Sequence, residues 1–365
     1  MGGKQLGLPF GKIPVDILKE VVFKNLGVKR EEVVLGPAAG FDGSVIDVMD
    51  KSLIVSMDPI TGAIERIGWL AVNINANDVA TFGVEPTFFS SCILLPENVD
   101  RKIVETICVQ MDKAAKDLRI AIIGGHCEVT PGLTNPIVVG CTMGITEKGN
   151  YVTAGGAKPG DKLILTKSAG IEGTAILAAD REEQLKKALS PTMLQKAKNF
   201  YDQISVVKEA TTAFKTGRVD AMHDPTEGGV TGGIHEMADA SNLGVKVLEE
   251  EIPVHPETVK ICKFFKIDPL QLISSGALLI SAKPKSANKI IRGLKQRRIR
   301  ASIIGEFLEN PRDRIIIRKN GKARVLPRPV SDHLWVALSK KVLQNSCSRT
   351  EETNKTQKMD SKKRT

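Results

Sequence analysis

Aromatic side chains are scarce: Phe, Tyr and Trp make up 4% of the 365 residues, with 2 Trp and 2 Tyr. A core with few large rings must be built from Ala, Val, Ile and Leu in layers joined by many turns, and 32 Gly suit such turns. Paired cysteine spacing is also missing. The 6 Cys, at positions 92, 108, 127, 141, 262 and 347, include no C-x-x-C, which excludes a zinc knuckle and a dithiol redox pair. Cys92, Cys108 and Cys141 fall inside apolar patterns and are expected as small core residues. No apolar run is long enough to span a bilayer, and the N-terminus lacks a signal-peptide pattern. The expectation is a cytoplasmic protein without membrane contact.

Acids are absent from Lys289 to Arg300, which carries six basic residues, and the net charge is +10. An excess of this kind attracts polyanions. No aromatic stacking residues accompany the run, so a solvated helix face is the expectation and a nucleic-acid partner ranks last. Residues 346–365 are polar and patternless and are expected to form a disordered basic tail.

Hydrophobic content of 42% supports two domains, 1–150 and 151–345. In the first, residues 14–26 suggest a short helix, and Gly36 to Gly43 form a glycine-rich loop. Val45–Val48 and Leu53–Met57 suggest paired strands, the second ending at Asp58-Pro59. Ile64–Phe82 suggests a helix whose apolar stripe, Ile67, Leu70, Ala71 and Ile74, continues into Asn77 and Asp78. A carboxylate on a buried stripe is costly unless paired or bound to a cation. Phe88–Leu95 is a predicted strand, and Arg101–Leu118 a predicted amphipathic helix. Ile120–Ile123 is a strand stopped by Gly124-Gly125-His126-Cys127-Glu128, and Pro136–Met143 another strand. In the second domain, strands are expected over Lys162–Thr166, Leu278–Ser281 and Ala301–Gly305, with a helix opening at Gly170.

His223-Asp224-Pro225-Thr226-Glu227-Gly228-Gly229 follows an apolar-alternating run and precedes a helical pattern through Val230, Ile234, Met237 and Ala238. Two carboxylates and a hydroxyl at a helix start suit a metal-bound phosphate. Taken alone, the stretch better suits an ordinary capped helix with Thr226 as the cap, because capping is the commoner use of these residues. Asp42, Asp58, Asn77, Asp78 and Gly124-Gly125-His126 occupy comparable places next to strands or on a buried stripe. Together they could ligate one or two Mg²⁺ ions on a nucleotide triphosphate.

This ordered set resembles the aminoimidazole ribonucleotide (AIR) synthase superfamily, which includes AIR synthase, thiamine-monophosphate kinase, selenophosphate synthetase and HypE. The matching segments are Gly36–Asp42, Ser56-Met57-Asp58-Pro59, Asn77–Pro86, Gly124-Gly125-His126, Gly155–Asp161 and Asp224–Gly229. Within the superfamily, the phrase Met222–Gly229 is most similar to the Asp-Pro-Thr-x-Gly-Gly motif of HypE-like proteins. The resemblance implies a two-domain fold of α/β and α+β type: an N-terminal domain whose sheet dimerises and is flanked by helices, then an α+β domain. It implies ATP with Mg²⁺ in a cleft completed by the partner subunit of a homodimer. Asp42, Asp58, Asp78, Asp224 and Glu227 would be metal or phosphate-shell residues. Asn77, Gly124, Gly125, Thr226 and Gly228 would lie against the nucleotide, with Lys12 as a catalytic cation. The implied reaction is phosphorylation of an amide or carboxyl oxygen, on a small molecule or a protein such as a maturation partner. A scaffold with little turnover and a small-molecule kinase are the alternatives.

Three departures stand out. His126 occupies the place where these families carry Asp. Either Glu128 takes over the metal role, or His126 contacts phosphate or substrate, or it bonds a neighbour. No Cys precedes Cys92, which argues against selenophosphate synthesis. The last Cys, Cys347, lies in Asn345-Ser346-Cys347-Ser348 and not in a Pro-Arg-Ile-Cys ending, which argues against self-cyanation by the HypE route.

Overall fold

The computed structural model describes residues 8, 11–61 and 64–339. The basic tail expected at 346–365, Cys347 included, lies outside the described residues. The first part contains α1 (Val15–Glu20), β1 (Val33–Leu35), β2 (Ser44–Val48), β3 (Lys51–Ile60), α2 (Ile67–Thr81), β4 (Pro86–Leu95), α3 (Arg101–Leu118), β5 (Ala121–Val129) and β6 (Ile137–Glu147). Its strands form one sheet in the order β1-β2-β3-β6-β4-β5. Only β4 and β5 run parallel, because α3 is the crossover between them. The Asp100 side chain caps α3 by accepting from the Lys102 N–H at 3.1 Å. Ile107, Met111, Ala114 and Ala115 are the face that α3 buries. Arg119 ends it in a left-handed conformation (φ 59°).

Helix α2 is buried almost all round, not along a single stripe. One side packs on β3 and β6, and another on the second part of the chain. Asn73, Asn75, Asn77 and Asp78 are therefore buried polar residues in the middle of the molecule, and each needs partners.

The second part contains β7 (Lys162–Thr166), α4 (Ile171–Asp180), α5 (Glu182–Leu185), α6 (Pro191–Lys198), α7 (Val207–Thr216), β8 (Ala221–His223) and α8 (Gly229–Ala240). After these come β9 (Gly244–Leu248), α9 (Pro256–Phe265), β10 (Leu279–Ala282), α10 (Pro284–Gln296), β11 (Ala301–Leu308), β12 (Arg314–Ile317) and β13 (Ala323–Val325). The second sheet has the order β13-β12-β9-β11-β7-β10-β8. Both faces of β7 are buried, as its unbroken apolar run requires. Leu163 and Leu165 join the layer with Val230, Ile234 and Phe307. Ile164 joins the opposite layer with Met222, Ile280 and Leu294. Ala80 of α2 belongs to that second layer, so the two parts share a core. The architecture is thus a two-domain mixture of α/β and α+β. No helix among the described residues is long and apolar enough to cross a membrane.

Four local expectations are corrected. Strand β5 is not stopped at Gly124 but runs on to Val129. Gly124 (φ 150°) and Gly125 (φ 148°) take a conformation open to glycine. It carries β5 past the irregularity opposite Phe89 and Ser90. Strand β3 likewise continues through Asp58 to Ile60, because β6 pairs with it along its whole length. Cys108 is exposed, and Cys92 and Cys141 are half-buried, so these are not core residues. Finally, the cap of α8 is Gly228, in a left-handed conformation (φ 81°), and not Thr226.

Candidate functional site

Strand β8 ends by placing His223 and Asp224 under the start of α8. The two are 1% exposed each. His223 Nδ1 lies 2.7 Å and 2.9 Å from the two carboxylate oxygens of Asp42. Its Nε2 lies 2.8 Å from Glu236 Oε2 on α8. Burial alone would favour the neutral ring, but the two flanking carboxylates outweigh it and hold the imidazole well above its ordinary pKa. Both ring nitrogens are then donors, and His223 is a buried cation that holds two acids in place. For Glu236, burial pushes upward, yet Lys12 and His223 keep it below the usual carboxylate range.

Asp224 has the opposite environment. Both of its carboxylate oxygens are buried without a hydrogen-bond partner among the described residues. Burial and the nearby Asp42 push it up to about 8. Asp78, on α2, is raised well above normal by burial and by Asp58, Asp224 and Asp42. The Ser56 hydroxyl donates to Asp78 Oδ2 at 2.7 Å. Asp58 is raised by burial, with Lys12 opposing. Its backbone is fixed by Asn75, whose Oδ1 accepts the Asp58 N–H at 2.7 Å.

Four carboxylates from four chain segments therefore converge on one place. Such a cluster is electrostatically costly without a counter-ion. Ligand atoms of Asp42, His223 and Asp224 lie within 4.8 Å of one another, close enough to share an ion. His223 has both nitrogens engaged, which leaves the carboxylate oxygens as donors. An all-oxygen set suits a hard cation such as Mg²⁺. The orphaned oxygens of Asp224 are the clearest sign that a cation fits here.

The Gly11–Lys12 segment lies across this cluster. The Lys12 N–H donates to Glu227 Oε2 at 2.8 Å, and its Nζ is 3.6 Å from Glu236 Oε1. Gly11 has a positive φ (95°), which favours glycine, and a Cβ there would come within 2.5 Å of Glu227 Oε2 and displace that carboxylate. Glu236 and the other acids raise the Lys12 pKa. Its side chain is 56% exposed, so solvent screens the ion pair and its stabilising value is under about 1 kcal/mol.

The structure thus brings together Lys12, Asp42, Asp58, Asp78, Asp224 and Glu227 from the expected set. It separates others. Asn77 faces away from the acids: its Nδ2 donates to the Ile204 carbonyl at 2.9 Å, and its Oδ1 accepts the Val206 N–H at 2.8 Å. With both ends engaged, Asn77 clamps the chain and is not free to hold a nucleotide. The Gly228 N–H is taken by Asp332 Oδ2 at 2.7 Å, so it is not open to a phosphate. Thr226 is half-buried beside the acids, and its carbonyl accepts from the Gly229 N–H at 3.0 Å. Gly124, Gly125, His126 and Glu128 sit on β5, the exposed edge strand. There His126 Nε2 lies 3.1 Å from Glu128 Oε2. Within one chain neither joins the acidic cluster, because an edge strand faces outward. His223 and Glu236 carry roles that sequence reasoning missed. The signal was present: a His directly before the buried Asp, and a Glu on the helix that follows.

Comparison with known proteins gives this geometry a family. The model of the AIR synthase related protein, N-terminal domain, matches residues 40–146. That of the AIR synthase related protein, C-terminal domain, matches residues 158–318. The chain is 27% identical over 334 residues to a Methanocaldococcus jannaschii protein provisionally named for hydrogenase expression/formation, covering 88% of this chain and 95% of that one. It is 27% identical over 266 residues to carbamoyl dehydratase HypE of Bradyrhizobium diazoefficiens, covering 71% and 74% respectively. Among solved structures, a HypE–HypF complex matches with a TM-score of 0.71 at 23% identity, covering 86% of this chain and 99% of that one. HypE in complex with ATP matches with a TM-score of 0.67 at 20% identity, covering 90% and 98%. The structural likeness is one of fold. With both of its domain models matched in order across the acidic site, the chain belongs to the AIR synthase related proteins.

Proposed function

We propose that this chain is an ATP-dependent, Mg²⁺-requiring enzyme of the HypE kind. Its reaction would phosphorylate a carboxamide oxygen and so turn that oxygen into a leaving group. The observation that carries this reading is Asp224, buried with both oxygens unpartnered beside Asp42, Asp58 and Asp78. The relatives named carbamoyl dehydratase support the choice of a carboxamide. The HypE fold solved with ATP supports the nucleotide.

Asp42, Asp58, Asp78 and Asp224 would hold the metal, which when bound offsets phosphate charge and orients the γ-phosphate. His223 keeps Asp42 and Glu236 in place from behind. Glu227 anchors the Gly11–Lys12 segment, so that the Lys12 ammonium can approach phosphate oxygens. The amide oxygen attacks the γ-phosphorus and the bond to ADP breaks. Loss of phosphate with its C–O bond, and of both amide protons, leaves a nitrile: carboxamide plus ATP gives nitrile, ADP and phosphate.

The same reading includes a homodimer through β5. All nine of its residues are exposed, with Ile122 at 43% and Ile123 at 56%. An unprotected apolar edge strand invites pairing. A second copy there would carry His126 and Glu128 toward its neighbour's acidic cluster, where Glu128 could join the metal shell and His126 the phosphate. A maturation protein that presents the carboxamide is the expected partner, as the HypE–HypF complex suggests for that relative. Free thiols at Cys92, Cys108, Cys127, Cys141 and Cys262 agree with a reducing, cytoplasmic compartment.

Isothermal titration with Mg-ATP tests the site. Asp58→Ala and Asp224→Ala should lose binding while circular dichroism stays unchanged. Wild-type affinity in both variants would sink the placement. ADP release in the presence of a carbamoylated-thiol peptide tests the reaction. ATP binding without release would instead indicate a nucleotide-binding scaffold.

A further inference from the structure

A cleft of about 1310 Å³ is lined by none of the acidic-cluster residues. It is bordered by the ends of α7 and α10, the segment before α9 and the strand start of β11. Lys208, Lys295, Arg297, Arg298 and Arg300 line it. None of these five is exposed to a compensating acid: no ion pair involves them among the described residues, although pairs are frequent elsewhere. The two acids that border the cleft are already engaged. Glu209 pairs with Lys167 at 2.9 Å, and Asp202 with Arg66 at 3.2 Å.

The floor carries an independent sign. Ser168 lines the cleft, is 1% exposed, and its hydroxyl has no hydrogen-bond partner among the described residues. A buried hydroxyl without a partner costs about 1–3 kcal/mol, and a ligand oxygen would remove that cost. Nearby, Lys167 Nζ donates to the carbonyls of Gln203 and Ser205 at 2.8 Å and 2.7 Å, so the floor is rigid.

We propose that this cleft binds a small ligand carrying two or more phosphate groups. Several unpaired cations around one concavity exceed what a single phosphate can engage. Guanidinium groups pair with phosphate oxygens through two parallel hydrogen bonds, and three of the five cations are Arg. Among the described residues no Phe, Tyr or Trp lines the cleft, which disfavours a single-stranded nucleic acid that would need stacking partners. The sequence run Lys289 to Arg300 thus divides by structure. Ile290 and Leu294 face the core, Lys289 and Arg292 face solvent away from the cleft lining, and Lys295 to Arg300 turn to the cleft.

Titration of the full-length protein with inorganic tripolyphosphate in EDTA tests the proposal. Without a divalent cation the acidic cluster repels this probe, so the failure of one site does not mimic the failure of the other. Wild type should bind, and more weakly as salt rises. Arg297→Gln with Arg300→Gln should weaken binding by about tenfold or more. Ser168→Ala, which leaves the net charge unchanged, should weaken it by roughly threefold to tenfold. Lys285→Gln with Lys289→Gln, a charge-matched pair outside the cleft lining, should change it by less than about twofold. Thermal melts confirm that each variant is folded. Absent binding would overturn the proposal, as would an equal loss in the two charge-matched pairs. Tighter binding of a single-stranded RNA, lost with Arg297 and Arg300, would overturn it in favour of nucleic acid.

Discussion

Replacing Asp224 with Asn should make the metal-free protein more stable while removing its response to Mg-ATP. The side chain keeps its size and loses its charge. In the folded protein the Asp224 carboxyl is pushed up to about 8 by burial and by Asp42, from 3.8. A raised acid contributes its full stability below the unfolded pKa, and that contribution is lost as pH rises through the folded value. The window therefore runs from about 4 to about 8. At pH 7 the distance from the unfolded pKa corresponds to about 4 kcal/mol. Asp42, Asp58 and Asp78 share the same field, so relief at one member should return about half of it, roughly 2 kcal/mol. For a chain of this size, whose unfolding entropy is about 0.7 kcal/mol/K, that raises the melting temperature by about 3 °C. Calorimetry in EDTA at pH 5 and pH 7 reads the effect, with a smaller gain at pH 5. Adding Mg-ATP should raise the melting temperature of wild type and leave Asp224→Asn unmoved. An Asn variant no more stable than wild type in EDTA at pH 7, or one that keeps the full Mg-ATP shift, would refute the reasoning.

Other perturbations separate structural from chemical roles. Asn77→Ala strands the Val206 N–H and the Ile204 carbonyl and should cost about 2–4 kcal/mol in urea denaturation. ATP affinity of the protein that remains folded should stay within about twofold of wild type, since Asn77 is a clamp. Glu172, 6% exposed, is pushed up to about 7 from 4.5, chiefly by burial. Its stability contribution is complete below about pH 4.5 and lost by about pH 7. Glu172→Gln should match wild type at pH 4.5 and exceed it by about 3 kcal/mol at pH 8, as pH-dependent denaturation will show. His126→Ala should change stability by less than about 0.5 kcal/mol, since the ring is exposed. Mixed dimers of His126→Ala with Asp224→Asn should regain ADP release if β5 serves the neighbouring site, because one complete site then forms. Mixed dimers as inactive as the two parents would exclude that role.

The acidic cluster shows how composition and fold divide the explanation. Asp42, Asp58, Asp78 and Asp224 are each ordinary in their local segments, and Asp224 alone suited a capped helix. The structure makes that stretch something else. Gly228 and not Thr226 is the cap, and the helix start is satisfied by Asp332. Asp224 is left with no local work, which is why it is available to a cation.

What the sequence by itself determined is the set of elements and their chemistry. Apolar periodicity marked α3 and β7, the Asn-rich helix α2 was visible as a stripe turning polar, and the acids at strand ends marked the candidate ligands. These are short-range properties, set by side-chain spacing along each segment. Only the tertiary structure decided which polar residues face one another. Asn77 and Asp78 are neighbours in sequence, yet a turn of 100° per residue sends one to the 204–206 segment and the other to the acids. His223 became a buried cation only because Asp42 and Glu236, from two other segments, close on its two nitrogens. Strand β5 became an exposed edge only through its parallel pairing with β4. Charge, burial and partner choice are sums over residues far apart in the chain, and no local pattern carries them.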